Sequence, residues 1–330
     1  MMKIAQYGIG HDHAAGKAKV MRDSNDVEFA GVFEPSADIL AICGKNPSYE
    51  GVAWFKSKEE LLEDATIEAV AVEGKVSQNL EFAQQVIEKG KHVWLDKPAG
   101  DDFEMFSSLL AMAEERNLHV QLGYMFRYNS AFQQLINWSK NGFLGTIRSI
   151  HATIPTGSVG KEHWERWDSA GEMKGGIMFV LACHVIDIIV ALLGRPEKVT
   201  PYLRENDKTF PWYRDNTLAI LEYPDTLVTV EAVANRLAHA ESRKFEVHGT
   251  EGSVIIEPLE PPQMKLFLNS AKENYSAGWQ KVAAEARVRY VESLRSFIST
   301  IRGTQKADRT QEHELIVQET VLAAAGIRPL

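Results

Sequence analysis

The sequence predicts an α/β fold followed by an α+β fold: a doubly wound parallel sheet comes first, and an open, mainly antiparallel sheet follows. Two patterns indicate this. Over residues 1–123, short apolar strands alternate with amphipathic helices, as in a parallel sheet that is covered by helices. Beyond Gly123, strand candidates follow one another closely, and strands joined by short turns pair antiparallel. We therefore expect two domains, residues 1–123 and residues 124–330.

Composition argues against several classes of protein. The chain has 330 residues, 45% of them hydrophobic, and no run that we judge long enough to span a bilayer, so we expect a soluble protein. A net charge of −9 without a Lys/Arg cluster argues against a nucleic-acid partner. Cys43 and Cys183 are far apart, which predicts neither a disulfide framework nor a cysteine zinc site. No signal peptide precedes the strand that starts at Lys3, which favours a cytoplasmic location.

The chain begins with a strand, a glycine turn and a helix, which read KIAQYG, GIGHDHAAG and AAGKAKVMRD. Backbone N–H groups at such a helix start can bind a pyrophosphate, as in a Rossmann domain. Gly8 and Gly10 take the first two glycine positions of the motif, but His13 stands at the third, where a small residue normally lets helix and strand approach. The candidate cofactor-binding residues of this turn are Gly8, Ile9, Gly10, His11 and His13.

A second strand, VEFAGVFEPS, ends in Glu34. An acid at this place can accept hydrogen bonds from the adenosine ribose hydroxyls and repel a 2′-phosphate. Glu34 therefore favours NAD(H) over NADP(H) as the cofactor.

His11 and His13 also raise the question of a metal site. They stand at i, i+2 in a glycine turn and lack the i, i+4 spacing of a zinc protease helix. We predict no metal here and favour contact with cofactor or substrate, or simple solvation.

The third landmark is KHVWLDKPAG, a strand that stops at Asp96-Lys97-Pro98. Open α/β sheets bind their ligands at the carboxyl ends of strands, and proline prevents the strand from continuing. We therefore interpret Asp96 and Lys97 as part of the reaction centre, with Lys97 facing a crevice or solvent. From these three residues alone, an ordinary polar turn is the alternative.

The remaining elements follow from periodicity and turn residues. In the first domain we predict helices at KSKEELLED, NLEFAQQVIEKG and FEMFSSLLAMAEERN, and strands at IEAVAVEG and LHVQLGY. In the second we predict strands at TIRSIHATI, KVTPYLR, NTLAILEY, LVTVEAVANRL, KFEVHG, GSVIIE and MKLFLN, with hairpin turns at EYPDTLV and HGTEGSV. Helices are predicted at SAFQQLINWSKNG, GGIMFVLACHVIDIIVALLG, VAAEARVRYVESLRSFISTIRG and EHELIVQETVLAAAG.

These motifs together resemble the Gfo/Idh/MocA oxidoreductases, the family of glucose-fructose oxidoreductase and inositol dehydrogenase. The resemblance rests on YGIGHDHAAG, GKHVWLDKP, GYMFRYNSAF, GGIMFVLACHVIDIIVALLGRP, FEVHGTEGSVIIE and EHELIVQETVLAAAG, and it covers nearly the whole chain. It implies an N-terminal NAD(P)-binding Rossmann domain, a C-terminal α+β domain for substrate binding and oligomerisation, and a tightly held nicotinamide cofactor.

The resemblance also implies roles for single residues. Asp96-Lys97-Pro98 stands where the family usually has Glu-Lys-Pro, so Lys97 is the expected catalytic lysine and Asp96 a ligand of the nicotinamide ribose. A lysine can take the hydroxyl proton if burial and positive neighbours lower its pKa from about 10.4 toward working pH. Arg127 matches an arginine near the nicotinamide, with a surface arginine as the alternative. Tyr124 is a weaker substrate-binding candidate that more often serves in packing.

His184 and Asp187 match the family's His-x-x-Asp on the helix that faces the cofactor. At i, i+3 they share one helix face, so the carboxylate could orient the imidazole; a lone histidine in so apolar a helix is otherwise a core residue. The chain departs from the inositol-dehydrogenase pattern at Val180, where an aspartate is usual, and at Asn79, where many relatives have histidine. A valine cannot accept a proton, so the proton must pass through Lys97, His184 or another residue.

Residues 157–176 form a polar, glycine-rich segment that contains Trp164 and Trp167. Aromatic faces beside polar groups suit a sugar ring, so both tryptophans are candidate substrate-binding residues. The alternative is that they fix a long loop or an oligomer contact.

The sequence as a whole predicts an NAD(H)-dependent oxidoreductase that acts on a secondary alcohol of a sugar, polyol or related carbohydrate. Two alternatives stay open: a lyase or glycosidase that oxidises its substrate only transiently with bound NAD, and a non-catalytic nucleotide-binding sensor. Because one face of the second sheet would otherwise be a bare apolar patch, we also expect a homodimer or homotetramer.

Overall fold

The computed structural model describes residues 1–157, 175–207 and 213–330. These residues form two compact units. The first contains residues 1–123 and 288–311, and the second contains the described residues of 124–287 together with 312–330.

The first unit is built on a parallel sheet with strand order β2-β1-β3-β4-β5 among the described residues. This confirms the predicted doubly wound fold. Its strands are β1 (Met2–Tyr7), β2 (Val27–Phe33), β3 (Ala69–Val72), β4 (His92–Leu95) and β5 (Val120–Leu122). Its helices in residues 1–123 are α1 (Ala14–Asp23), α2 (Ala37–Cys43), α3 (Lys58–Leu62), α4 (Val76–Glu88) and α5 (Phe103–Glu115).

The second unit is built on a sheet with strand order β13-β12-β11-β10-β6-β9-β8-β7 among the described residues. Among the strand pairs of the described residues, only β6–β9 is parallel, which confirms the mainly antiparallel prediction. Its strands are β6 (Ile147–Thr153), β7 (Lys198–Arg204), β8 (Asn216–Glu222), β9 (Leu227–Val233), β10 (Lys244–Gly249), β11 (Gly252–Ile256), β12 (Met264–Leu268) and β13 (Gly278–Val282). Its helices are α6 (Ser130–Lys140), α7 (Gly176–Leu193) and α9 (Gln311–Ala324).

Residues 282–303 differ from the single helix that the sequence predicted. The segment starts at the end of strand β13 and becomes helical only in α8 (Val291–Ile301). Moreover, α8 belongs to the first unit, whereas the predicted domain of residues 124–330 assigned it to the second. The reason is packing, because Leu294, Phe297 and Ile298 join a buried cluster with residues of the first sheet such as Trp94.

The helix α7 corrects our statement that no run is long enough to span a bilayer. By length and composition Gly176–Leu193 passes that test, but 78% of it is buried inside the protein. It packs against β8 and β9, whose inward side chains are apolar or small. A mostly buried apolar helix of this kind is typical of the core of a soluble protein.

Candidate functional site

The predicted glycine turn connects β1 to α1, and its geometry explains the glycine at position 8. Gly8 has φ +85°, and a Cβ there would lie 2.5 Å from the backbone nitrogen of Gly74. Any other residue would therefore be strained and would also collide with the chain that follows β3. The turn thus brings the ends of β1 and β3 into direct backbone contact.

Glu34 follows β2 directly and turns its carboxylate toward this glycine turn. One oxygen accepts a hydrogen bond from the N–H of Ile9 at 2.7 Å, and the other accepts from the N–H of Ser36 at 2.8 Å. Burial raises the pKa of Glu34 above its ordinary value, while these two hydrogen bonds act in the opposite direction. The predicted ribose-binding acid is therefore fixed beside the turn.

A cavity of about 440 Å³ lies against the same turn. Its lining includes the turn residues from Ile9 to Asp12 together with Lys45, Asn46 and Tyr49. Glycine at position 10 and a nearby lysine suit a phosphate-bearing ligand. These residues therefore fit the phosphate-bearing part of a dinucleotide. Not every N–H group of the turn is available, since that of His11 donates to the Glu73 carbonyl at 3.0 Å.

Asp96 and Lys97 lie immediately after β4, at the carboxyl edge of the sheet where the sequence placed them. The carboxylate of Asp96 accepts a hydrogen bond from the N–H of Lys97 at 2.6 Å. His11 Nε2 lies 3.1 Å from the Lys97 carbonyl oxygen, so the glycine turn also contacts the predicted reaction centre. The sequence predicted that Lys97 faces either a crevice or solvent. Because Lys97 is only 2% exposed, it does not face solvent.

A buried cluster of ionisable side chains includes Asp96, the residue that precedes Lys97. Lys17, Glu73 and Asp96 are all 0% exposed. Lys17 Nζ lies 2.5 Å from Glu73 Oε1 and 3.2 Å from Asp96 Oδ2, and it also stands 4.4 Å from the centre of the Trp94 ring. Neither Lys17 nor Glu73 was recognised from the sequence, since a lysine inside α1 and a glutamate after β3 read locally as polar surface positions.

His11 and His13 also approach Asp96. His13 Nδ1 lies 3.1 Å from Asp96 Oδ1, and His11 Nδ1 lies 3.3 Å from Asp96 Oδ2. Since a carbonyl oxygen can only accept, His11 Nε2 carries the hydrogen toward Lys97, and His11 Nδ1 accepts from the N–H of His13. His11, His13 and Asp96 each offer one possible metal-ligand atom, and these three atoms lie within 4.8 Å of one another. The Lys17 ammonium, however, already supplies a positive charge beside Asp96.

The cluster fixes opposite charges in a desolvated place. Burial alone would raise the pKa of Asp96, but His11, His13 and Lys17 hold it well below its usual range. Burial alone would lower the pKa of Lys17, but Asp96 and Glu73 raise it. For Glu73, burial and the neighbouring Asp96 raise the pKa well above the usual value. Lys17 and Asp96 are therefore a charged pair at neutral pH, and the predicted contact of Asp96 with the nicotinamide ribose stays a prediction.

The second unit contains a separate polar network. Arg127 donates to both oxygens of Asp187, at 3.1 and 2.7 Å, and His313 Nε2 lies 2.8 Å from Asp187 Oδ1. Arg127 is 7% exposed, so the alternative of a surface arginine is wrong. Sequence reasoning missed His313, because nothing in the periodicity of the last helix distinguishes it.

The other candidates of the second unit are also buried. His184, Tyr124 and Val180 are 1%, 1% and 7% exposed, and the His184 ring stands 5.4 Å from that of Phe126. The idea that Asp187 orients His184 stays a prediction, because the hydrogen bonds described above tie Asp187 to Arg127 and His313. Trp164 and Trp167 lie outside the described residues.

Two family models match the chain. "Oxidoreductase family, NAD-binding Rossmann fold" matches residues 3–124, and "Oxidoreductase family, C-terminal alpha/beta domain" matches residues 140–325. The chain belongs to the Gfo/Idh/MocA oxidoreductase family. The resemblance drawn from its motifs is thereby confirmed, as is a nicotinamide-type cofactor domain.

Relatives within the Gfo/Idh/MocA family show what this chain is similar to. An uncharacterized oxidoreductase of Escherichia coli, YhhX, is 26% identical over 269 residues, which cover 79% of this chain and 72% of that protein. The dTDP-3,4-didehydro-2,6-dideoxy-alpha-D-glucose 3-reductase of Streptomyces violaceoruber is 25% identical over 64% of this chain and 60% of its own. The scyllo-inositol 2-dehydrogenase (NADP(+)) IolW of Bacillus subtilis is 23% identical over 76% of this chain and 66% of its own.

Solved structures show the same fold. UDP-N-acetylglucosamine 3-dehydrogenase GnnA from Acidithiobacillus ferrooxidans matches with a TM-score of 0.81 and 18% identity, covering 99% of this chain and 97% of that one. At 18% identity this similarity establishes the fold alone, so the reaction has to be inferred from the residues of the site.

Proposed function

We propose that the protein is an NAD(H)-dependent oxidoreductase that acts on a secondary alcohol of a sugar, polyol or related carbohydrate, with Lys97 as its acid/base. One observation carries this proposal: a single glycine turn contacts both Glu34, through the N–H of Ile9, and the backbone of Lys97, through the ring of His11. The acid suited to the adenosine ribose and the backbone of the lysine suited to the reacting hydroxyl thus contact one turn of a dinucleotide-binding fold.

The choice of NAD(H) over NADP(H) rests on Glu34. Its carboxylate is held toward the turn by two backbone N–H groups, where it would repel a 2′-phosphate. Family membership alone does not decide between the two cofactors, since one relative is named as an NADP(+) enzyme. The cofactor, when bound, accepts or returns a hydride at nicotinamide C4.

The substrate class rests on the relatives and on the chemistry. Two relatives are named for a deoxysugar nucleotide and an inositol, and one similar structure for a UDP-sugar. Oxidation of a secondary alcohol breaks the O–H and C–H bonds, so that a ketone forms while the hydride leaves and Lys97 takes the hydroxyl proton. Family resemblance assigns His184 a catalytic role in this proton transfer, as a relay or positioning group or as the main base.

The test begins with mass spectrometry of the purified protein for a bound nicotinamide cofactor. A panel of sugars, inositols and sugar nucleotides is then read by NADH absorbance. Lys97→Met should lower kcat by about 10² to 10⁴-fold, as loss of an acid/base group does, while cofactor affinity is retained. His184→Ala should cost less if His184 only positions, and as much if it is the main base.

The matched control is Lys89→Met, because Lys89 is an exposed lysine paired with Glu63 at the surface. It should turn over normally. Near-normal turnover of Lys97→Met would remove the catalytic role of Lys97. Product formation without net NADH would replace the dehydrogenase with the transient-oxidation alternative.

A further inference from the structure

Lys17 and Glu73 form a buried, hydrogen-bonded pair of ionisable side chains to which the proposed reaction assigns no part. Both side chains are 0% exposed, and Lys17 Nζ lies 2.5 Å from Glu73 Oε1. Removing ionisable groups from water costs free energy, and apolar residues of similar size would often serve stability equally well. Stability alone therefore gives little reason for a lysine and a glutamate at these positions.

Their location shows what they hold together. Lys17 lies on α1, the helix that starts at the glycine turn, whereas Glu73 follows β3 and Asp96 follows β4. The Lys17 ammonium reaches both carboxylates, at 2.5 and 3.2 Å. One cation thus ties the cofactor-binding helix to two strand ends at the carboxyl edge of the sheet.

The position of Gly123 shows that close packing accompanies this arrangement. Gly123 follows β5, and a Cβ there would lie 3.1 Å from Asp96 Oδ1 and 3.3 Å from Lys17 Nζ. Both distances are shorter than ordinary contacts of a Cβ atom. A residue without a side chain therefore leaves the room in which ammonium and carboxylate meet.

The two oxygens of Asp96 differ in their contacts with Lys17 and Lys97, while His13 Nδ1 lies 3.1 Å from Oδ1 and 3.2 Å from Oδ2. Oδ2 faces the Lys17 ammonium at 3.2 Å, and Oδ1 accepts the N–H of Lys97 at 2.6 Å. A carboxylate that is fixed on one side by a cation has a fixed direction on the other. The contacts form a continuous series from Glu73 through Lys17 and Asp96 to the backbone of Lys97.

We propose that Lys17 and Glu73 are positioning residues, which fix the Asp96 carboxylate and thereby the backbone that carries the catalytic lysine. This inference rests on the proposed role of Lys97. Lys17 does not touch the reacting atoms in this scheme. It acts through Asp96, and Glu73 acts through Lys17 by holding its ammonium in place.

The test follows the backbone amide of Lys97 by NMR in full-length protein with isotopically labelled lysine. The signal is identified by its loss in Lys97→Met. A short hydrogen bond to a carboxylate shifts an amide proton downfield, so Lys17→Met should move this signal upfield. With an identified substrate, kcat should fall by on the order of 10²-fold with little change in the KM for cofactor, as small misplacements of a reacting group do.

Two further variants separate positioning from stability. Lys19→Met is the matched control, since Lys19 lies on the same helix in an exposed pair with Asp23 and should leave signal and turnover unchanged. The double variant Lys17→Met/Glu73→Met removes both members of the pair, and it should leave the Lys97 signal shifted and kcat reduced, as in Lys17→Met. Recovery of the Lys97 signal and of kcat in the double variant would show that the pair is only structural and would overturn the proposal. An unchanged Lys97 signal in folded Lys17→Met would also overturn it.

The NMR result does not depend on turnover. If no substrate is found, or Lys97→Met is fully active, the proposed function fails while the amide signal still reports whether Lys17 positions Lys97. If turnover depends on Lys97 but the Lys97 amide signal is unchanged in Lys17→Met, only the positioning inference fails.

Discussion

The guanidinium of Arg127 donates two hydrogen bonds to the carboxylate of Asp187, one to each oxygen. The two side chains are 9% and 0% exposed, so this is a buried ion pair in the second unit. His313 Nε2 stands 2.6 Å from the guanidinium and 2.8 Å from the carboxylate. One ring nitrogen cannot both accept from the first and donate to the second, so the proton on His313 selects its partner.

Arg127→Met should destabilise the second unit by about 3 to 5 kcal/mol, because it leaves the buried Asp187 charge without its main partner. Urea denaturation measures the free energy of unfolding. Arg148→Met is the control, since Arg148 and Asp225 form an exposed pair whose loss should change stability much less. Equal effects of the two substitutions would contradict the structural role of the Arg127–Asp187 pair. A parallel loss of NAD affinity in Arg127→Met would support the cofactor contact that family resemblance implies.

Cofactor preference should depend on pH through Glu34. Burial raises the pKa of this carboxyl, so it becomes neutral at a higher pH than an ordinary glutamate as the solution is acidified. The neutral form no longer repels a 2′-phosphate, and NADP(H) affinity relative to NAD(H) should rise as the pH falls through that pKa. Fluorescence titration with NADH and NADPH measures the ratio. In Glu34→Ala the preference for NAD(H) over NADP(H) should be smaller, and its pH dependence should vanish. If the affinity ratio of the unaltered protein does not change with pH, the role assigned to Glu34 is wrong.

Phe297→Ala should destabilise the first unit by about 3 to 5 kcal/mol, the cost of a large cavity in a well-packed core. Phe297 is 0% exposed and packs in the cluster that includes Trp94, with ring centres 6.2 Å apart. Tryptophan fluorescence during urea denaturation follows this loss. Leu237→Ala is the control, because Leu237 is 91% exposed. A negligible effect of Phe297→Ala would mean that α8 does not contribute to this core.

Acid should destabilise the first unit through His119. Burial, followed by the charge of Arg309, lowers the pKa of His119 from 6.5 to about 4. Between pH 6.5 and about pH 4, His119 is protonated in the unfolded chain but neutral in the folded chain. The free energy of unfolding therefore falls as the pH decreases, by on the order of 3 kcal/mol in total. Below about pH 4 the folded form is also protonated, and this contribution stops changing.

The measurement is the free energy of unfolding of His119→Phe and of the unaltered protein across this range. The variant should lose less stability on acidification, since phenylalanine cannot bind a proton. His151→Phe, at an exposed histidine of the other unit, should retain the original pH dependence. A variant that follows the unaltered curve would assign the acid sensitivity to other groups.

We also propose that copies of the chain associate through the outer face of the second sheet. Cross-strand pairing places Trp279, Phe267 and Ser253 in one row on this face, and Trp279 is 54% exposed. Trp279→Glu should therefore reduce the mass measured by light scattering, whereas Leu237→Glu, away from the strands, should not. A monomer at micromolar concentration in the unaltered protein, or an unchanged mass in Trp279→Glu, would contradict this interface.

Local sequence determined most of the elements, because their periodicity and turn residues are read within a few residues of one another. The alternation of strands and helices predicted the parallel sheet, and closely spaced strands with the turns EYPDTLV and HGTEGSV predicted the antiparallel one. The same reasoning placed Glu34 after β2 and Lys97 after β4, since a polar residue that ends an apolar strand lies at the edge of the sheet.

Tertiary structure alone decided which distant residues meet. Periodicity shows that α8 has an apolar face, but only packing assigns that face to the first sheet. Arg127, Asp187 and His313 are separated by 60 and 126 positions, and Lys17 is separated from Glu73 by 56. A charged side chain reads locally as a surface residue, because burial of a charge becomes favourable only when its partner arrives from another element, and the fold supplies that partner.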